Sequence, residues 1–233
     1  MRAACRILGF DDVRDLGFED DDVLVTQEKI RAIADMSREV KPDILITHHP
    51  YESGGFKMHG TIGQCTLYAM QIAGGAGRGR QVRHRVAVTY FMSPQAYIGN
   101  NGLEYAGTDR SDLDVDITDI IDKKVQAMDR IASRFYGGAY ARKVAEYGDG
   151  THGQHASVAY AEQFQRFFPM VRYTFPITDA ELDRISESPE AMMGRRSEMA
   201  GGLIPLPHNM AFTARYGVPK EKYRDRGRRI PCP

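Results

Sequence analysis

Residues 41 to 59 read KPDILITHHPYESGGFKMH, and this stretch decides the fold. Residues 44–47 form a short continuous apolar run, which is typical of a strand buried in a parallel sheet. A helix is predicted before it, over 26–40, with Thr26 as its N-cap. Pro42 ends that helix, because the residue before a proline disfavours helical backbone. This helix–strand–loop order predicts an α/β fold with a Rossmann-like parallel sheet and helices on both faces.

Further helices and strands are predicted along the rest of the chain. Helices are predicted over 59–73, 119–135, 157–167 and 179–185, and strands over 13–18, 85–91 and 113–117, the last half-exposed or at an edge. The periodicity weakens beyond residue 176. We therefore predict an α/β domain over 1–176 and an irregular C-terminal extension over 177–233, serving as a lid or an oligomer arm.

The beginning of the chain has the pattern of a helix end. Residues 2–10 look like the last turns of an amphipathic helix that ends at Gly9. A domain that opens in this way suggests an N-terminal truncation, with one or more strands of the sheet missing. The alternative is a short native N-terminal helix.

Composition excludes several classes of protein. Lys plus Arg and Asp plus Glu both number 31. The net charge therefore gives no sign of the excess of basic residues that is typical of nucleic-acid-binding proteins. No apolar run approaches the ~18 residues of a membrane-spanning helix, and the N-terminus lacks a signal-peptide core. The three cysteines form no CxxC pair and no disulfide framework, which favours a reducing, cytoplasmic compartment. Met and Tyr residues in the C-terminal tail leave room for a homo-oligomer.

The segment after the best strand concentrates residues that can carry chemistry. Ligand sites in doubly wound sheets lie at the carboxyl ends of strands, and there the sequence places His48, His49, Glu52 and His59. Histidine suits zinc, iron or nickel, and it also orients anionic substrates. From composition alone, a loop or capping role is the simpler interpretation of each histidine, and a solvated carboxylate is that of Glu52.

Three other residues, which lie later in the chain, are weaker candidates for substrate binding. His152 and His155 have the i, i+3 spacing of a ligand pair, although a surface loop explains them as well. Arg142 suits a substrate carboxylate, although a solvated helix face is the simpler interpretation.

The order and spacing of several segments resemble the PIG-L/LmbE family of zinc-dependent de-N-acetylases and their relatives. The segments are RILGFDDVRDLGFED at 6–20, KPDILITHHP at 41–50 and MHGTIG at 58–63, followed less closely by DITDIIDKKVQAM at 116–128 and AYAEQF at 159–164. The later segments are most similar to the hydratase branch, which includes 4-oxalomesaconate hydratase.

The resemblance implies a zinc site with one ligand in this chain. Family members hold one zinc per subunit with a His and an Asp of an early AHPDD-type motif and a later His, which His59 matches. The early motif and the carboxylate base would lie upstream of Met1, so the catalytic residues of this chain are unknown. A three-ligand zinc lowers the pKa of bound water to about 7. One histidine cannot build such a site, so the chain alone is expected to be nearly inactive.

Two activities and one non-enzymatic role follow from the resemblance. The chain is expected to act on a small-molecule substrate, as a deacetylase of an N-acyl bond or as a hydratase of an unsaturated, 4-oxalomesaconate-like acid. De-N-acetylases of the family carry an extra His where this chain has Phe56, which shifts the balance toward hydration. The alternative is a non-catalytic remnant or small-molecule-binding subunit.

Overall fold

The computed structural model describes residues 1–51, 57–75, 82–92, 111–131, 133 and 139–201. Its elements are α1 (Arg2–Leu8), α2 (Gln27–Val40), β1 (Ile44–His48), α3 (Lys57–Gly74), β2 (Val88–Met92), β3 (Leu113–Asp116), a 3-10 turn (Thr118–Ile120), α4 (Ile121–Met128), α5 (Ala139–Ala156), β4 (Ala161–Arg166), α6 (Asp179–Ile185) and α7 (Pro189–Gly201). Among the described helices, none has both the length and the apolar character needed to cross a membrane.

The four strands form one open sheet in the order β1-β2-β4-β3. β1 and β2 are parallel, with Ile44 opposite Val88 and His48 opposite Met92. β2 and β4 are antiparallel, with Tyr90 opposite Arg166. The predicted α/β class is therefore confirmed, and the sheet is mixed where an all-parallel sheet was expected.

The chain divides into two compact units, residues 1–115 with 162–170, and residues 116–161 with 171 onwards. In the first unit α2 packs against α3 through a core in which four of the five side chains are small; it is formed by Ile30, Ala34, Cys65, Ala69 and Ala73. Their small size lets the two helices approach closely. Burial raises the pKa of the Cys65 thiol, so this thiol stays protonated within the core.

The second unit is built on α4 and α5. Ile121 and Val125 of α4 pack against Ala141 and Ala145 of α5, and Tyr160 closes this core. The Tyr160 hydroxyl donates a hydrogen bond of 2.8 Å to Glu146 Oε2. Burial and this bond to a carboxylate raise the pKa of Tyr160 above its ordinary value.

Local signals place several elements where the sequence predicts them. The Thr26 side chain accepts a hydrogen bond from Lys29 N and caps α2, and Lys41 ends that helix in a left-handed conformation. Gly9 is left-handed after α1, as its C-cap position predicts. Thr178 and Glu181 form a capping box at the start of α6. β1, β2, β3 and α3 lie within a few residues of their predicted positions.

Other predictions are wrong, for identifiable reasons. Residues 13–18 form no strand, because Gly17 adopts a left-handed backbone and Arg14 pairs with Asp12 and Glu39 instead. The predicted helix over 157–167 does not form: α5 ends at Ala156, Ser157 has a positive φ, and Ala161–Arg166 is strand β4.

Two helices were not predicted, and one is shorter than expected. α5 and α7 carry glycines that lower helix propensity. α4 ends at Met128, and residues 132, 134 and 135 of the predicted 119–135 helix lie outside the described residues. The described part of the 177–233 extension thus holds α6 and α7, and the predicted domain boundary at residue 176 stays a prediction.

Candidate active site at the carboxyl end of β1

The candidate site lies where β1 ends and α3 begins. His48 is the last residue of β1, and His59 lies in the first turn of α3. Gly63 lets the two elements meet, because a Cβ there would lie 2.5 Å from the His48 carbonyl oxygen and 2.9 Å from Pro50 N. Any other residue at this position would push α3 away from the strand end.

Polar contacts fix the helix against the strand and the turn that follows it. Gln64 Nε2 donates to the Pro50 carbonyl over 3.0 Å, and the Thr47 hydroxyl donates to Thr66 Oγ1 over 3.3 Å. Thr66 Oγ1 in turn donates to the Ile62 carbonyl one helical turn earlier. The carboxyl end of β1 and the first turns of α3 therefore form one rigid support.

The support brings two of the predicted site residues together. The rings of His48 and His59 stack with their centroids 3.9 Å apart and their planes 14° from parallel. Both side chains are half-buried. This stacked pair, His48 with His59, is the candidate site.

His49 faces a different environment from its neighbour. It is only 5% exposed, its Nδ1 accepts a hydrogen bond of 3.2 Å from Tyr51 N, and its ring meets Phe91 edge-on at 5.1 Å. These contacts give His49 a role in shaping the turn after β1. A buried polar ring with a backbone partner is the arrangement expected of a structural histidine.

The remaining predicted site residues lie elsewhere. Arg142 is on α5 in the second unit, where it pairs with Asp122 of α4. His152 is half-buried and His155 is exposed on the same helix. Glu52 lies outside the described residues, as does Phe56.

The sequence also contains two supporting residues that the predictions missed. The Lys29 ammonium is 1% exposed, donates to the Asp22 and Leu24 carbonyls over 2.7 Å each, and pairs with Asp22 Oδ1 at 2.8 Å. Thr61, two residues after His59, donates to the Val23 carbonyl over 2.8 Å. The 22–24 loop is thereby tied to both α2 and α3. Lys29 lies four residues before Ile33, on the face of α2 that packs against α3. This i, i+4 spacing is the signal in the sequence that could have predicted the burial of Lys29.

The described residues alone do not make a zinc site. Nowhere in the described ranges do three His, Cys, Asp or Glu side chains come together in a group that could hold a metal ion. The stacked pair supplies two imidazoles, and a catalytic zinc needs three protein ligands.

No protein-family model and no curated protein matches this chain in sequence. Solved structures do match. With GalB, the 4-carboxy-2-hydroxymuconate hydratase of Pseudomonas putida, the TM-score is 0.59 at 22% identity, over 75% of this chain and 72% of that one. With the conserved protein TT1542 of Thermus thermophilus, it is 0.59 at 23% identity, over 76% and 75%.

A third solved structure is the N,N'-diacetylchitobiose deacetylase of Pyrococcus horikoshii. It matches with a TM-score of 0.53 at 16% identity, over 74% of this chain and 65% of that one. At such identities these likenesses establish the fold, and they agree with the resemblance found in the sequence. The chain has the fold of the PIG-L/LmbE enzymes.

Proposed function

We propose that this chain is part of a metal-dependent enzyme that adds water to a small polar substrate. The bond attacked is either the double bond of an unsaturated carboxylic acid or an N-acyl bond. One observation carries the proposal: His59, the residue that matches the family's later zinc ligand, is held by α3 at the carboxyl end of the parallel strand β1. Sheets of this kind bind their ligands at that edge.

Hydration is the preferred chemistry of the two. The segments at 116–128 and 159–164 are most similar to the hydratase branch, and Phe56 stands where de-N-acetylases carry an extra His. The solved structures that share the fold include a hydratase and a deacetylase. Both structures share the fold at low sequence identity, so the preference for hydration rests on the sequence segments and Phe56 alone.

We propose His59 as one ligand of a zinc ion; the other two ligands of the family, a His and an Asp of the AHPDD-type motif, have no match in this sequence. His48, His49, Glu52, His152 and His155 stay candidates for substrate contacts. Arg142 is a weaker candidate, because its guanidinium already pairs with Asp122.

A non-catalytic role is the second candidate function. It is favoured by the lack, within the described ranges, of a three-ligand metal group. A subunit that binds a small carboxylic acid beside the stacked pair would need no metal.

Zinc content and turnover separate the two functions. Stoichiometric zinc in the purified chain, measured by elemental analysis and lost in His59→Ala, would support the enzyme. Tyr147→Ala is the control, since Tyr147 is exposed, lies on α5 of the other unit and is not a site candidate. Turnover is screened with unsaturated dicarboxylic acids and with N-acetyl sugars, and any activity found should fall at least about 100-fold in His59→Ala. Zinc and turnover that survive in His59→Ala would contradict the proposal, and acid binding by a zinc-free, inactive chain would establish the binding role.

A further inference from the structure

We infer that residues 171–177, here called the arm, add an antiparallel strand to the outer edge of β1 in a second copy of this chain. The contact needs neither a metal nor a substrate, and it goes beyond the proposed function. It joins two features of the described structure that are exposed to solvent, an apolar strand edge and an apolar segment without helix or strand.

The outer edge of β1 has main-chain groups that are available for pairing. β1 is the last strand on its side of the sheet. The Val88 N–H donates to the Asp43 carbonyl over 3.1 Å. In a parallel ladder, residues alternately direct their main-chain groups toward the neighbouring strand and away from it. Those of Ile44 and Ile46 therefore point away from β2, and in the described part of the chain no strand or loop bonds to them from that side.

The face of β1 beside this edge is open as well. Thr47 is buried and its hydroxyl donates to Thr66 Oγ1, so α3 covers the face on which Thr47 lies. Successive strand residues face opposite sides, which puts Ile44 and Ile46 on the other face, where they are 58% and 51% exposed. β1 reads ILITH, without the Lys, Glu or Pro that commonly protects an edge strand from association.

The arm has the sequence pattern of a strand. It reads VRYTFPI, so apolar residues alternate with a polar residue or proline over seven positions. The structure gives the arm neither helix nor strand, and Val171, Tyr173 and Phe175 are at least 92% exposed. Burying such side chains is favourable, and the five residues of β1 offer an apolar surface of matching length.

A second copy is the occupant of the edge that these features favour. Every copy carries both an arm and a free edge, so the association needs no other protein. The chain has a formal net charge of zero at pH 7, so copies repel each other little at long range. A strand added to an exposed edge gains main-chain hydrogen bonds together with side-chain contacts.

Pro176 sets the orientation of the added strand. Proline has no N–H, so in an edge strand its nitrogen faces away from the neighbouring strand. The main-chain groups of Tyr173 and Phe175 then face β1. In an antiparallel pair, residues that exchange both hydrogen bonds lie opposite each other on the same face. Tyr173 therefore lies opposite Ile46, and Phe175 lies opposite Ile44. A parallel strand would direct both rings to the face that α3 already covers.

Cross-linking between two differently tagged copies tests the contact and its orientation. One copy carries Ile46→Cys and the other Tyr173→Cys, and the Cα atoms of such an antiparallel pair lie about 5.5 Å apart, within reach of a disulfide. Arg172→Cys replaces Tyr173→Cys in the matched control, because its side chain would lie on the opposite face of the added strand. Every copy also carries Cys5→Ser and Cys232→Ser, which remove two of the natural thiols.

Sedimentation over a range of concentrations tests whether the edge drives association. Ile46→Lys puts a charge on the edge strand, and we expect it to weaken self-association at least about 10-fold. It should leave the melting temperature of dilute, monomeric protein unchanged, because the side chain is half exposed. Tyr68→Lys, a similarly exposed position on α3, is the control and should leave self-association as it is.

We expect a linked dimer from Ile46→Cys with Tyr173→Cys and little from Ile46→Cys with Arg172→Cys. Absence of the first link, or unchanged self-association in Ile46→Lys, would overturn the inference. Equal linking by Arg172→Cys would overturn it too, since the arm would then have no fixed face. A single chain that carries both Ile46→Cys and Tyr173→Cys adds a last test: a disulfide formed within the monomer would show that the arm covers its own sheet. Zinc content and turnover enter none of these outcomes, so failure of the proposed function is a separate result.

Discussion

At the scale of single residues, a buried ammonium group supports the candidate site. Lys29 is almost wholly buried, and its Nζ reaches two carbonyl oxygens and the Asp22 carboxylate. A buried cation is tolerated when its hydrogen-bonding capacity is satisfied in this way. The same ion pair, together with a backbone hydrogen bond, holds the pKa of Asp22 below its usual value. The 22–24 loop, which Thr61 also contacts, depends on this lysine.

Replacing Lys29 with methionine should therefore destabilise the first unit. The variant keeps most of the side-chain volume but leaves the Asp22 and Leu24 carbonyls without their donor, and we expect a loss of about 3 kcal/mol of unfolding free energy. Chemical denaturation followed by circular dichroism measures this loss. Arg31→Met, an exposed change on the same helix, is the control and should cost less than about 0.5 kcal/mol. Equal denaturation midpoints for the two variants would show that the contacts of Lys29 with Asp22 and Leu24 contribute nothing to the unfolding free energy.

The stacked pair shows how far residue-level prediction from the sequence can go. The sequence places His48, His49, Glu52 and His59 in one segment at and after the end of β1, and the structure stacks two of them, His48 and His59. No pattern in the sequence indicated that His49 turns into the core against Phe91, although it is adjacent to His48. In a strand, alternate residues face opposite sides, and the ring orientations depend on how deeply α3 packs. That depth is set by a glycine contact that no periodicity reveals.

At the scale of elements, two helical glycines have opposite roles. A Cβ at Gly63 would come within 2.5 Å of the His48 carbonyl oxygen, whereas a Cβ at Gly148 in α5 meets nothing within 4 Å. The first glycine permits a helix–strand contact, and the second only lowers the helix propensity of its own segment.

The two alanine substitutions should accordingly change stability in opposite directions. Gly148→Ala should raise the unfolding free energy by about 0.5–1 kcal/mol, since alanine favours the helix and clashes with nothing. Gly63→Ala should lower it by about 2 kcal/mol or more and displace His59 from His48, since backbone atoms must move apart. Thermal unfolding gives the first effect, and the His59 ring-proton shifts give the second. A stabilising Gly63→Ala variant would mean that α3 does not approach β1 as closely as the structure shows.

The elements that were predicted correctly carry their own local signals. α2 has a Thr cap, an apolar face and a proline shortly after its end, and its bounds were predicted almost to the residue. β4 carries no such signal: its sequence, AEQFQR, is rich in helix-forming residues. It is a strand because it pairs with β2, and pairing partners distant in sequence override local propensity. α5 was missed for the converse reason, since packing on Ile121 and Val125 stabilises a glycine-rich helix.

At the scale of the whole molecule, we expect charge and surface pattern together to favour self-association. The chain has equal numbers of acidic and basic residues and an isoelectric point of about 7.1. Long-range repulsion between copies is therefore small near neutral pH. Within the described surface, Val171, Tyr173 and Phe175 are at least 92% exposed and lie in a segment without helix or strand. Exposed apolar patches on proteins with little net charge promote association.

We expect the chain to self-associate most strongly near pH 7 and less at pH 9, where its net charge is larger. Replacing Tyr173 and Phe175 with serine should shift sedimentation toward the monomer. It should not lower the melting temperature measured in dilute, monomeric protein, because neither side chain contributes to a described core. The double change Tyr68→Ser and Tyr147→Ser is the control: these tyrosines are also exposed but lie on separate helices, so self-association should persist. Unchanged sedimentation in the Tyr173/Phe175 variant would place the interface elsewhere. A lower melting temperature in dilute, monomeric protein would instead show that these aromatic residues pack within the chain in solution.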